Sequence, residues 1–203
     1  MNAKPWMWRR HVPAGLALCL CLSAPLGGAP QDAAAIPVRP DDVAGFREFS
    51  ERVQAYVKLQ QKVESSLPGL KSTDVPELIT AHQQALARMI REARPHAKAG
   101  DVFTSSARES FRHASRAVLN APGATRSLAY MKLGEASPRM QLVVNGIYSD
   151  AEPNTVMPPA LLGAFPPLPA EVAYRLVGRV LILIDVKSRL IVDVARDILR
   201  PPS

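Results

Sequence analysis

From position 41 to about 119 the apolar residues recur at intervals of three and four, and from 172 to 195 they alternate or run together. The first rhythm belongs to helices with one buried stripe, the second to strands. Phe46, Phe49, Val53, Tyr56, Val63 and Leu67, with Gln60 at the one polar step, predict a first helix of about 25 residues. Asp41 and Asp42 open it, where acids complement the unpaired N–H groups of the first turn, and Pro68-Gly69 ends it. Asp74-Val75-Pro76-Glu77 announces a second helix, with Asp74 as its cap and Pro76 in the first turn. Its stripe runs Leu78, His82, Ala85, Leu86, Met89, Ile90 and Ala93, and Pro95 and Gly100 bring it to an end. The connection between the two is only about seven residues, which predicts an antiparallel hairpin. A third helix from about Val102 to Leu119 carries Phe103, Ala107, Phe111, Ala114 and Val118 on one side and stops at Asn120-Ala121-Pro122-Gly123. Residues 125 to 134 are a candidate short helix.

After Pro138 the composition changes. Residues 140 to 144 have β character and are a candidate fourth strand, and Asn145-Gly146 suggests a turn or bulge. Prolines at 153, 158, 159, 166, 167 and 169 exclude a regular helix or a central strand over 151 to 170. That leaves an extended surface connector with one helical turn at Ala160 to Ala164. The stretch LVGRVLILIDVKSRLIVDV at 176 to 194 then divides, with the residues just before it, into strands Val172 to Val177, Val180 to Asp185 and Leu190 to Ala195. Gly178-Arg179 suits a two-residue turn with glycine first, and Lys187-Ser188-Arg189 makes the second reversal. VLILID is apolar on both faces and belongs at the centre of the sheet. The outer strands alternate, Ala173, Arg175 and Val177 against Tyr174 and Leu176, then Ile191, Asp193 and Ala195 against Leu190, Val192 and Val194. As a membrane span the same stretch would bury Arg179, Asp185, Lys187 and Arg189 at roughly 2.5 to 3.5 kcal/mol each, so that reading fails. The upstream helical stripes are the supply of apolar surface that can cover the sheet. The expected fold is α+β, one domain over 41–203. An N-terminal antiparallel helical hairpin plus a third helix fills 41–121. A proline-rich connector and a small, mainly antiparallel sheet ending in a three-stranded meander fill 138–203.

The first 30 residues follow a different order. Lys4, Arg9 and Arg10 precede an apolar run from Val12 to Leu22, and the small residues of Leu26-Gly27-Gly28-Ala29 follow. That is the order of a secretory signal peptide, with cleavage between Ala24 and Ala35 and a flexible leader at 31–40. The run is shorter than the roughly 20 residues of a spanning helix. Cys19 and Cys21 both fall within it, behind Leu18 and Leu20 where lipidation requires a small residue. A mature chain without cysteine forms no disulfide, thiolate metal site or cysteine nucleophile. Its charge is also modest: without the three basic residues of the signal peptide the balance falls from 25 against 18 to 22 against 18, a net +4. No block of five or six basic residues occurs, and the five Phe and four Tyr are scattered, so the pattern of a nucleic-acid binder is missing. The expected location is the periplasm or the exterior of the cell.

Two stretches carry a resemblance. YVKLQQKVESSLPGL at 56 to 70 and PPALLGAFPPLPAEVAYRLVGRVLILIDVKSRLIVDV at 158 to 194 resemble exported bacterial hypothetical proteins of unknown function, an uncharacterised family. The resemblance implies an exported α+β protein. It implies no activity, and no functional residue carries over from it.

Candidate chemistry is sparse. His82 lies on the apolar stripe of the second helix, as a partly buried histidine or a metal ligand, but no His or Asp three or four residues away completes a ligand pair. His96 suits the last carbonyls of a helix. His113, beside Arg112 and opposite the Phe111 stripe, reads as solvated. Ser65-Ser66 and Ser105-Ser106 fit helix-end roles, and no serine stands in a G-x-S-x-G setting. Asp185, Asp193 and Asp197 read as solvated strand ends. Pairing 185 with about 190 would set 193 opposite about 182, which predicts no carboxylate pair across a cleft. Arg88, Arg91 and Arg94, with Arg108, Arg112 and Arg116, form two stripes that are either solvated faces or one cationic grip for phosphate, carboxylate or an acidic partner. No phosphate loop, EF-hand, zinc motif or dinucleotide fingerprint occurs, so the sequence designates no catalytic, cofactor-binding or metal residue and leans against an enzyme. The reading that remains is a non-catalytic periplasmic or secreted protein that binds a partner through its helical surface. Two alternatives stay open. One is an extracytoplasmic hydrolase of cell-wall or other polymer, with His82 or an Asp as base; the other is a weak binder of anionic lipid or polysaccharide through the Arg stripes.

Overall fold

The computed structural model describes residues 39–70, 74–122, 124, 141–149, 157–196 and 198–199. The candidate signal peptide with its cysteines, nearly all of the expected leader, the candidate helix at 125–134, Met140, Pro153 and Asp197 lie outside them.

The helices follow the apolar spacing: α1 is Pro40–Glu64, α2 Pro76–Ala93 and α3 Ser105–Leu119, with a short α4 at Pro159–Ala164. The strands are β1 Val172–Val177, β2 Val180–Asp185 and β3 Ile191–Ala195, antiparallel in the order β1-β2-β3. The α+β meander is therefore as expected. Helices α1 and α2 run antiparallel, since Arg94 stacks over the Tyr56 ring while His82 lies within electrostatic reach of Glu64, farther along α1. Yet α1 packs more extensively against α3 than against α2. Gly45 makes that approach possible: a Cβ there would sit 2.2 Å from the Ser110 hydroxyl and 2.8 Å from the Ser106 carbonyl oxygen.

Two helix starts differ from expectation. The cap of α2 is Val75, with no side-chain hydrogen bond, rather than Asp74, because Pro76 takes the first helical position and holds its predecessor extended. Helix α3 begins at Ser105 with Thr104 as cap, its hydroxyl accepting from Ala107 N at 3.2 Å. Val102 and Phe103 stay outside the helix because their N–H groups are held by Asp193. The α2 stripe is covered only in its second half. Leu86, Ala87 and Ile90 are buried, whereas Leu78 and Ile79 are exposed.

The five phenylalanines, far apart in sequence, converge. Phe111 lies 5.2 Å from Phe46, 4.9 Å from Phe49, 5.3 Å from Phe103 and 4.6 Å from Phe165, between ring centroids. Phe165 brings the connector into this core, with Met157 and Leu161 also buried, so the proline-rich segment from 157 onward is more than a surface crossing.

Val172, Tyr174, Leu176, Leu181, Leu183 and Leu190 face this helical core. Gly178 has φ +58° at the first turn position, which a side chain would strain, and it closes Val177 onto Val180. The opposite face of the sheet is covered too: Leu142, Val144 and Tyr148 pack on Ile182, Ile184, Ile191 and Val194. The described part of the candidate fourth strand, 141–144, forms no strand. The Gly146 N–H bonds back to the Val143 carbonyl and Asn145 takes φ +64°, so the chain curls, and its pairing beside β3 is limited to the isolated bridge of Ile147 with Leu190 and the backbone bonds around it.

The alternation expected for β3 fails at one point. Leu183 pairs with Asp193 and Ile184 with Ile191, so Val192 is an extra residue in a bulge. The bulge puts Val192, Asp193 and Ala195 on the helical side and leaves Ile191 and Val194 on the other.

Because the Ser106 carbonyl is backbone and cannot swing away, Gly45→Ala is expected to lower stability by roughly 1–3 kcal/mol through overpacking. Urea unfolding with an unchanged m-value is the measurement.

Candidate functional site

Asp193 and Asp185, expected at solvated strand ends, are both 0 % exposed. The bulge aims Asp193 at the loop between α2 and α3. There its carboxylate accepts from Val102 N and Phe103 N at 2.7 Å each and from Gly100 N at 2.9 Å. Backbone dipoles at the approach to α3 thus take the place of a cation. Asp185 closes the second reversal, its Oδ1 accepting from Lys187 N at 2.9 Å and Ser188 N at 2.7 Å, while Oδ2 accepts from the Tyr56 hydroxyl at 2.9 Å. Burial, and then the Asp185 charge, push the Tyr56 phenol well above its ordinary range. Both acids are committed to the fold, and they do not face each other across the sheet: Asp185 pairs with Val172 and Asp193 with Leu183.

His113 is not solvated as expected. Its Nδ1 lies 3.0 Å from the buried Asp42 and its Nε2 2.8 Å from Glu109, which fastens α3 to the first turn of α1. His82 is half-buried and His96 exposed. Among the described residues no group of three or more His, Cys, Asp or Glu is placed to hold a metal. The hydroxyls of Ser65 and Ser66 donate to the Lys62 carbonyl at the end of α1.

The two Arg stripes are put to different uses. Arg91 donates to the Asn145 carbonyl at 2.9 Å, and Arg94 donates to the Val192 carbonyl at 3.0 Å, satisfying the bulge. Arg112 pairs with Glu109, Arg88 and Arg116 are exposed, and Arg108 is half-buried. Two of the three α2 guanidiniums therefore point at backbone and not at a partner.

A concave feature among the described residues lies elsewhere, between α4, the segment after it, and β1. It is a groove of about 970 Å³. One wall is Leu162, Gly163, Phe165 and Pro166; the other is Val172, Tyr174 and Arg175. Prolines 166, 167 and 169 fix φ and hold the connector away from helix or sheet. The Tyr174 hydroxyl donates to the Pro166 carbonyl at 3.1 Å and ties the two walls together. Burial pushes the Tyr174 phenol well above its usual range, so it stays a donor. Phe165 stands 5.6 Å from Tyr174 and 4.6 Å from Phe111, which makes the groove floor the outer side of the aromatic core. Arg175 is the one charged side chain among the described lining residues, and its Nη1 donates to the Tyr174 carbonyl at 2.9 Å.

None of this was visible in the spacing of apolar residues. The available signal was Phe165, an aromatic residue next to Pro166-Pro167, and the alternation that sends Arg175 away from Tyr174. Among the described residues no helix is long and apolar enough to cross a membrane. Comparison of the chain with protein-family models, with curated proteins and with solved structures finds no match.

Removing the Asp193 carboxylate leaves buried N–H groups unpaired at about 1–3 kcal/mol each, so Asp193→Ala should lose roughly 3–5 kcal/mol in denaturant unfolding. Asp193→Asn should recover only part, since its amide nitrogen faces donors. Tyr56 gives a pH dependence. Below about pH 10 folded and unfolded chains both keep the phenolic proton, and the contribution is complete. Above it the unfolded chain releases the proton first, so stability falls by about 1.4 kcal/mol per pH unit as pH climbs toward the raised folded value. Tyr56→Phe should lose that part of the slope between pH 10 and 11.

Proposed function

We propose that this is an extracytoplasmic, non-catalytic binding protein whose binding surface is the groove between α4 and β1. The observation that carries the reading is the groove itself, about 970 Å³ and lined by apolar side chains with a single cation. Its size and composition match sites that enclose a small apolar ligand with one polar anchor. Export is supported by the order of charge, apolar run and small residues over the first 30 positions. The helical surface has less to recommend it as the binding face, since Arg91 and Arg94 are turned inward, although Leu78 and Ile79 remain exposed on α2. A hydrolase would need an acid or base at its cleft. The described groove lining holds neither a histidine nor a carboxylate.

Gly163 allows a direct test, because a Cβ there meets nothing within 4 Å. The protein should take up the neutral apolar dye N-phenyl-1-naphthylamine saturably. Gly163→Trp should fill the groove and weaken that uptake at least about tenfold, or about 1.4 kcal/mol. Gly69→Trp, at another glycine with open space around it, should leave uptake unchanged. A dye titration unaffected by Gly163→Trp, with both variants melting like the parent, would rule the groove out.

A further inference from the structure

We propose that the natural occupant of the groove is a free long-chain acyl carboxylate, its apolar body in the groove and its carboxylate on Arg175. This rests on the groove being the binding site and adds the chemical class of what binds.

The charge comes first. Arg175 belongs to none of the ion pairs among the described residues, and it is the one charged side chain of an otherwise apolar lining. One of its N–H groups is spent on the Tyr174 carbonyl, which fixes the guanidinium beside the strand. A guanidinium carries five donors in a planar fork, so an edge suited to a bidentate carboxylate remains. The other polar side chain at the groove wall is taken, since the Tyr174 hydroxyl is bonded to Pro166. Recognition of a polar head therefore falls to Arg175 alone. One cation matches one carboxylate better than it matches a doubly charged phosphate.

The strand edge favours an acyl chain over an extended peptide. A peptide that adds to β1 would need outward N–H and C=O groups along it. Ala173 and Arg175 pair inward with Ile184 and Ile182. Of the outward groups bordering the groove, the Val172 N–H is bonded to the Pro169 carbonyl at 3.2 Å and the Tyr174 carbonyl accepts from Arg175. Those two groups are lost to any added strand. Apolar contact with Leu162, Phe165 and Leu168 is what the surface still offers, and a hydrocarbon chain uses that contact without needing a backbone partner.

The test is displacement of bound N-phenyl-1-naphthylamine by palmitate, by hexadecanol and by vesicles of phosphatidylglycerol, with the parent protein and with Arg175→Gln and Arg175→Lys. Palmitate should displace the dye at concentrations at least about tenfold lower than hexadecanol, which has the same body and no charge. Arg175→Gln should abolish that preference while the apolar lining still takes up dye, and Arg175→Lys should keep part of it. Equal displacement by palmitate and hexadecanol, or a preference that survives Arg175→Gln, overturns the acyl-carboxylate assignment while the groove still binds dye. Stronger competition from the vesicles than from palmitate overturns it in favour of a membrane lipid. Failure of the parent protein to bind the dye at all removes the groove as a site, and this assignment with it.

Discussion

The ring of Phe111 is the contact on which the rest of the structure depends. It meets rings from α1, from the loop before α3, from the connector and from β1, the last being Tyr174 at 5.9 Å between centroids. Most of these pairs are edge-to-face, which sets the positive rim of one ring against the negative face of another and adds about 0.5–1.5 kcal/mol per pair beyond burial. A single side chain so placed forces helix, connector and sheet to agree on one geometry. The groove follows from that agreement, because its floor is the far side of Phe165 and Tyr174.

Apolar contact is tolerant of rotation and slippage, and polar ties remove that tolerance. Asp193 receives the loop between α2 and α3, Asp185 receives Tyr56, and Asp42 receives His113. Each acid is buried, and burial of a charge is costly unless donors converge on it. Here most of the donors are backbone N–H groups in turns, which cannot be reached unless the turn has its native shape. The bulge in β3 belongs to the same device: the extra residue turns Asp193 toward the helices, and Arg94 takes up the Val192 carbonyl that the broken ladder releases.

How much of this was legible depends on whether a feature repeats. The strands could be read because Gly178 marks a turn and VLILID has no polar face, and the helices because their stripes recur. The bulge could not be read, since one extra residue within LIVDV leaves no gap in an apolar run. Without the bulge, Asp193 reads as a solvated strand end. Asp185 and His113 read as solvated in the sequence for a related reason: their burial is decided by Tyr56 and Asp42, residues 129 and 71 positions away. The groove was hidden because its walls are irregular backbone and strand edge, which have no period at all.

Both rims of the three-stranded sheet are also occupied in part by the chain itself. Beside β1 stand the Pro169 carbonyl and the Arg175 guanidinium; beside β3, the Asn145 and Tyr148 N–H groups reach the Ile191 and Arg189 carbonyls, and the Ile191 N–H reaches the Gly146 carbonyl. A sheet this rich in Val, Ile and Leu would otherwise be a template on which other copies could stack strand by strand. The internal partners shorten the length of open edge on which a foreign strand could seat.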